Sequence, residues 1–236
     1  MDYHPRTMSD HFHQQLGIIR EQIAQAAARA GRNTDEILLL GVTKKVSLEM
    51  IQEAWASGLR EFGENKVQEL KAKAPLLPSA VSWHMIGHLQ SNKARDAVQF
   101  ASLIHSVDSA PLAAEIQKQA GKQSKIQKIL IEVNVAGEAS KFGVKPDALE
   151  ALAVEVNSLT HLELHGLMCM APHSDDPEKA RPHFARLRNL RDGLESSLGY
   201  KLPVLSMGMS GDFVPAIEEG ATIVRIGTAL FGRRAK

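Results

Sequence analysis

Eight apolar, β-prone runs alternate with amphipathic helical stretches from Ile37 onward, and this alternation constrains the fold more than any other feature. Parallel strands need a long crossover between each pair, usually a helix, so the repetition implies a parallel sheet covered by helices. The strands are expected in ILLLGVTK, REFGEN, VSWHMIG, LIHSVDS, KILIEVNVA, LELHGLMCM, LPVLSMGMS and TIVRIGTALFG. Between them the helices carry their own boundary signals. Ser47 can cap the helix after the first strand; Ser109 caps the helix after the fourth, with Pro111 in its first turn and Gly121 at its end. Phe184, Leu187, Leu190 and Leu194 share one face of a long helix after the sixth strand. Ahead of the first strand, Phe12, Leu16, Ile19, Ile23 and Ala27 make an additional amphipathic helix over residues 9–30, stopped by Gly31. Eight such units within 236 residues predict a single α/β domain over residues 1–236, a (β/α)8 TIM barrel with an extra N-terminal helix and a flexible leader at residues 1–8. A doubly wound open sheet is the main competitor.

Strand parity then selects residues for chemistry. Leu38, Leu40, Val42 and Lys44 share one side of the first strand, which places Lys44 at the inner top of the barrel and turns Lys45 outward. Barrel enzymes build their sites at the carboxyl ends of the strands. Lys44 is therefore either a strand-end lysine reaching solvent or an amine nucleophile toward an aldehyde, since apolar walls and a neighbouring ammonium favour the neutral form. The segment SMGMSGD and the later RIGTALFG put glycines and small hydroxyl residues after the seventh and eighth strands, where backbone N–H groups can converge on an anion. Ser210, Gly227 and Thr228 are the candidates. A phosphorylated aldehyde would join these loops to the lysine. Arg225, two residues before Gly227, points to the same side; it either anchors a ligand heteroatom or forms a salt bridge across the barrel top, for which Glu64 is the expected partner.

Several classes are disfavoured. The formal charge of +1 gives no electrostatic case for nucleic acid or an anionic membrane, and no apolar run approaches a membrane span. With Cys169 as the single cysteine, no intramolecular disulfide can form, and a reducing, cytoplasmic location is expected. Cys169 reads as an inert core thiol. His84 and His88 lack nearby ligands at metal spacing, and His161 and His165 on a strand do not form the helical zinc motif, so no metal is assigned. His11 and His13 read as surface residues.

The stretches LLLGVTK, FGENKVQE, WHMIGHLQSNK, IEVNVAGEASKFGV, HGLMCMA and LSMGMSGDFVPAIEEGATIVRIGTALFG resemble, in order, the pyridoxal phosphate homeostasis protein family, the PLP-binding barrels once filed as proline synthetase co-transcribed. The resemblance covers almost the whole chain from the first strand. It implies an alanine-racemase-N-terminal-domain-like barrel holding pyridoxal 5′-phosphate (PLP) as a lysine aldimine on Lys44. By the same resemblance Ser210, Gly227 and Thr228 cradle the phosphate, Arg225 faces the pyridine nitrogen, and Asn65 and His84 sit on strand ends of the pocket. One departure is visible: Val46 stands where relatives often have a second lysine.

The implied function is intracellular vitamin B6 homeostasis, storing or delivering PLP, with free amino acids and PLP-dependent apo-enzymes as transient partners and a monomer as the expected state. No catalytic residue is assigned. Racemases with this barrel add a second domain whose tyrosine acts on the opposite face; none is expected before Lys236, and neither Tyr3 nor Tyr200 falls at a strand top. An arginine at the pyridine nitrogen also weakens the ring as an electron sink. A PLP-dependent amino-acid racemase and a cofactor-free lysine aldolase are the enzyme alternatives.

Overall fold

The structure, a computed structural model, describes residues 8–138 and 141–232. β1 (Leu38–Val42), β2 (Glu61–Glu64), β3 (Ser82–Met85), β4 (Leu103–Val107), β5 (Gln127–Glu132), β6 (Leu162–Met168), β7 (Val204–Met209) and β8 (Ile223–Ile226) pair in sequence order, and β8 returns to β1 to close the barrel. Every pairing is parallel, with register shifts in the β4–β5, β5–β6 and β7–β8 pairs. Closure excludes the open sheet and leaves no strand edge unpaired.

The helices are α1 (Met8–Arg29), α2 (Leu48–Ala56), α3 (Val67–Lys73), α4 (Ala94–Phe100), α5 (Ala110–Lys122), α6 (Leu149–Asn157), α7 (Arg181–Leu198), α8 (Phe213–Glu218) and α9 (Thr228–Phe231). α8 and α9 span only six and four residues, too short to cover their side of the barrel. The extra helix α1 packs there instead: Phe12, Leu16, Ile19 and Ile23 are buried, and the Phe12 ring stacks on Phe231. Met8 already lies in α1, and the rest of the expected leader, residues 1–7, is outside the described residues.

Local signals hold with exceptions. Ser47 Oγ accepts from Met50 N and caps α2. Ser109 occupies the cap position of α5, but its hydroxyl donates to Asp108 instead of closing the first turn. Gly121 does not end α5, which runs on to Lys122; a side chain at Gly121 would press on the His161 ring at 3.0 Å, so the glycine serves packing. His161 itself lies in the turn before β6, leaving only His165 of that pair on the strand. Phe184, Leu187 and Leu194 are buried on α7, and Leu190 packs at the edge of the same core.

The apolar interior has two parts. The larger lies between sheet and helices; the smaller, inside the barrel, consists of Leu40, Leu103, Leu130, Met168 and Ile223 with Leu38, Ile86 and Val204 against them. Alternation along each strand brings a second, polar set to the same inner space: His84, His105, Ser206 and Arg225, all nearly inaccessible to water. Among the described residues no helix is long and apolar enough to cross a membrane, and no group of three or more His, Cys, Asp or Glu is arranged to hold a metal ion.

Candidate functional site

At the carboxyl end of the strands a cavity of about 320 Å³ is lined by Lys44, Asn65, Ser210, Arg225, Gly227 and Thr228 together with Val42, Ile86, His173 and Asp212. Six of the seven residues singled out from the sequence thus meet around one space. His84 does not. It stands two residues below Ile86 on the inner face of β3, 4% exposed, where Nδ1 contacts His105 Nε2 at 2.9 Å and Nε2 contacts Glu61 Oε2 at 2.9 Å. A residue that the resemblance assigned to the pocket is thus a barrel-interior group, one layer below Ile86.

Lys44 lies two residues past the end of β1 and is half-buried, and among the described residues its ammonium has no hydrogen-bond or ion-pair partner. Its neighbours are held firmly. Thr43 Oγ1 donates to Glu64 Oε1 at 2.6 Å, while Lys73 Nζ donates to Thr43 O at 2.8 Å, Glu64 Oε1 at 2.8 Å and Glu69 Oε2 at 3.1 Å. Lys45, at φ +58°, adopts a left-handed conformation that a lysine rarely takes, and its N–H donates to Glu69 Oε2 at 2.8 Å. The residues on both sides of Lys44 are therefore tied to one ionic cluster on β2 and α3, which leaves the lysine chain itself to project into the cavity. Burial pushes the Glu64 carboxyl above its ordinary range despite the bonds from Lys73 and Thr43. The sequence singled out Glu64 only as a partner for Arg225 and pointed to neither Glu69 nor Lys73, which look like ordinary surface charges until β2 and α3 are packed together.

Glu64 faces α3 on the outside of the sheet, so the expected salt bridge with Arg225 does not form. Arg225 is 5% exposed and donates through Nη1 to Ser206 Oγ at 2.7 Å and through Nη2 to Cys169 O at 2.8 Å. Burial lowers its proton affinity, and the charges of Cys169, Glu132 and Asp212 work in the opposite direction. Glu132, on the inner side of β5, is pushed up to about 7 by burial and by Asp108, against the opposing pull of Arg225. The thiol of Cys169 is fully buried and pushed up to about 12, mainly by burial, which makes it unreactive at neutral pH.

Opposite Lys44, the two loops expected to bind an anion do converge. Gly227 N and Ala229 N both lie 3.3 Å from Ser210 Oγ, so two backbone donors and a hydroxyl cluster where β7 and β8 end. Gly208, at φ +89°, makes this possible: a Cβ there would come within 2.6 Å of Ala216 Cβ, so only glycine lets the end of β7 fold over α8. On the other wall, Asn65 Oδ1 is buried without a hydrogen-bond partner. Buried acceptors are rarely left so, and this one borders the cavity.

A closed barrel with an unpaired lysine at the end of β1, an anion-ready loop pair after β7 and β8 and a buried arginine between them defines the alanine-racemase class of barrel. Residues 14–235 match the alanine racemase N-terminal domain family. The chain belongs to the pyridoxal phosphate homeostasis proteins. It is 48% identical over 222 residues to the pyridoxal phosphate homeostasis protein of Aquifex aeolicus, covering 94% of this chain and 97% of the relative, and 43% identical over 227 residues to that of Pseudomonas aeruginosa, covering 93% and 97%. Among solved structures, PipY of Synechococcus elongatus with PLP bound superposes with a TM-score of 0.79 at 37% identity, covering 89% of this chain and all of that one. Alanine racemase of Clostridium difficile 630, at 14% identity and a TM-score of 0.77 over 96% of this chain and 58% of its own, shares the fold.

Proposed function

We propose that this protein binds PLP in the β1/β7/β8 cavity and acts in PLP homeostasis as a non-catalytic carrier. The observation that carries the reading is the meeting of Lys44, Asn65, Ser210, Arg225, Gly227 and Thr228 around one cavity in a chain whose relatives are named for PLP homeostasis. When bound, PLP supplies an aldehyde that condenses reversibly with amines, and a phosphate dianion. The residues fit both ends. Lys44 offers an amine free of other partners; Ser210, Thr228 and the N–H groups of Gly227 and Ala229 offer uncharged donors to an anion. Asn65 Oδ1 offers an unused acceptor. Arg225 brings a donor, not an acceptor, to the ring nitrogen, which keeps that nitrogen unprotonated.

Carrier rather than enzyme follows from proton transfer. Inverting an amino acid needs groups on both faces of Cα within hydrogen-bond reach. Lys44 serves one face. Tyr200, the tyrosine among the described residues, donates to Asn157 Oδ1 at the last residue of α6, and no tyrosine lines the cavity. A monomer is the state proposed. The lone cysteine and moderate charge suit the cytoplasm. Free amino acids can reach Lys44 from the open mouth, and apo-enzymes would receive the cofactor there.

The test is to incubate PLP-loaded protein with L-alanine in deuterium oxide, following the α-proton and the enantiomer ratio. Retained configuration, with exchange no faster than one exposed amine supports, is expected. Accumulation of D-alanine above the rate of free PLP would restore the racemase.

A further inference from the structure

Beneath the cavity the polar groups of the barrel interior form one unbroken chain. Arg225 Nη1 donates to Ser206 Oγ at 2.7 Å, Ser206 Oγ meets His105 Nδ1 at 2.9 Å, His105 Nε2 meets His84 Nδ1 at 2.9 Å, and His84 Nε2 meets Glu61 Oε2 at 2.9 Å. It joins five strands, β8, β7, β4, β3 and β2, and runs from the cavity floor toward the amino-terminal end of the barrel, where Glu61 opens β2 with a quarter of its side chain exposed.

The two ends dictate the same direction. Ser206 Oγ accepts from Arg225 and has no other acceptor within reach, so its own hydrogen goes to His105 Nδ1. His105 then carries its proton on Nε2 and donates to His84 Nδ1. His84 carries its proton on Nε2 and donates to Glu61, whose carboxyl, although burial raises it, is held below the ordinary range by its bonds from His84 and Ser82. Starting from Glu61 gives the same assignment. Complete burial, with the Arg225 guanidinium nearby, drives His105 well below an ordinary imidazole, which keeps it neutral. Every hydrogen points from the cation toward the anion, so each dipole favours the next.

We propose that Ser206, His105, His84 and Glu61 form a one-way hydrogen-bond wire that positions the Arg225 guanidinium against the ring nitrogen of the cofactor and compensates its buried charge from the far end of the barrel. The four are positioning residues. The wire explains why two histidines and a serine occupy an interior otherwise filled by Leu40, Leu103, Leu130 and Met168, and why an arginine without a carboxylate partner tolerates that depth. It is independent of the Glu64 cluster behind Lys44, which lies on the other face of the sheet. The part concerning the ring nitrogen rests on the PLP reading; the direction of the wire does not.

Two measurements separate those parts. In cofactor-free protein labelled with ¹⁵N-histidine, NMR at about pH 7.5 should show both His84 and His105 as neutral Nε2–H tautomers. Glu61→Gln, at the exposed end, should shift the His105 signals although residue 61 does not touch His105, with near-UV circular dichroism unchanged. An Nδ1–H tautomer at His105, or His105 signals indifferent to Glu61→Gln, would overturn the wire. For the cofactor, Ser206→Ala should weaken PLP binding by at least about fivefold while leaving unchanged the binding of an analogue whose ring nitrogen is replaced by carbon. Equal losses for both ligands would show that Ser206 only supports the fold. Failure of unmodified protein to bind PLP would refute the reading of the cavity and leave the wire to be judged by the tautomers.

Discussion

Lys73→Met tests whether the cluster behind Lys44 holds it in place. Lys73 Nζ donates to three acceptors, and Glu64, with a fully buried side chain, already has one carboxylate oxygen without a partner. Removing the ammonium leaves Glu64 with the single bond from Thr43 Oγ1. Breaking one side of a buried ion pair costs about 3–5 kcal/mol. Lys73 keeps 14% of its side-chain exposure, so water moderates the pair and about 3 kcal/mol is expected, a fall in melting temperature of roughly 6–12 °C for a chain of this size. The pH dependence has a definite sign. The Glu64 carboxyl lies above its ordinary range when folded, so the folded state holds that proton more tightly than the unfolded state, and stability declines as pH rises between the two values. The penalty should therefore be larger at pH 8 than at pH 5 (values spanning roughly the window set by a raised carboxyl). Urea denaturation of the wild type, Lys73→Met, Glu64→Gln and the double variant at both pH values gives the coupling. A loss below about 1 kcal/mol, or the same loss in the Glu64→Gln background, would refute the reasoning.

Three further outcomes follow from the site and its frame. Replacing both Ser210 and Thr228 by alanine removes two hydroxyl donors at about 1.5–3 kcal/mol each, so PLP affinity should fall at least tenfold by fluorescence titration while that of unphosphorylated pyridoxal changes little; equal losses would mean that these hydroxyls do not hold the phosphate. Glu132 is pushed up to about 7 in the fold, so its proton is held more tightly there than in the unfolded chain and stability should fall by roughly 2–3 kcal/mol between pH 5 and pH 8. Glu132→Gln should remove that slope, and an unchanged slope would put the titration elsewhere. Gly87→Ala should abolish soluble expression or lower the melting temperature sharply, because its Cβ would sit 2.2 Å from Asn65 O, and a variant as stable as the wild type would show that this close approach of β2 and β3 is not maintained.

The ring of eight strands was legible because each strand shows itself locally: an apolar run, a parity and a flanking helix signal. The convergence of Lys44, Ser210, Arg225, Gly227 and Thr228 on one cavity was legible for the same reason, since strand-end position and parity need no knowledge of neighbours. What escaped depends on pairs distant in sequence. His84 was assigned to the pocket by the family resemblance; the register of β3 with β4, His84 opposite Leu103, places it a layer lower. The Arg225–Glu64 bridge was suggested by charge, but Glu64 alternates to the outside between the buried Phe62 and Val67 and meets Lys73. The serine and two histidines of the interior chain lie on β7, β4 and β3, and nothing local marks them as partners. Gly121 has the look of a helix stop and is instead a contact for His161.

The most direct test of the central claim is to add PLP, reduce with borohydride, digest and locate the pyridoxyl group by mass spectrometry. A single modified lysine at Lys44, absent in Lys44→Ala while circular dichroism shows an unaltered fold, is the expected result. Modification centred on Lys45, or a reducible adduct of undiminished yield in Lys44→Ala, would contradict the account.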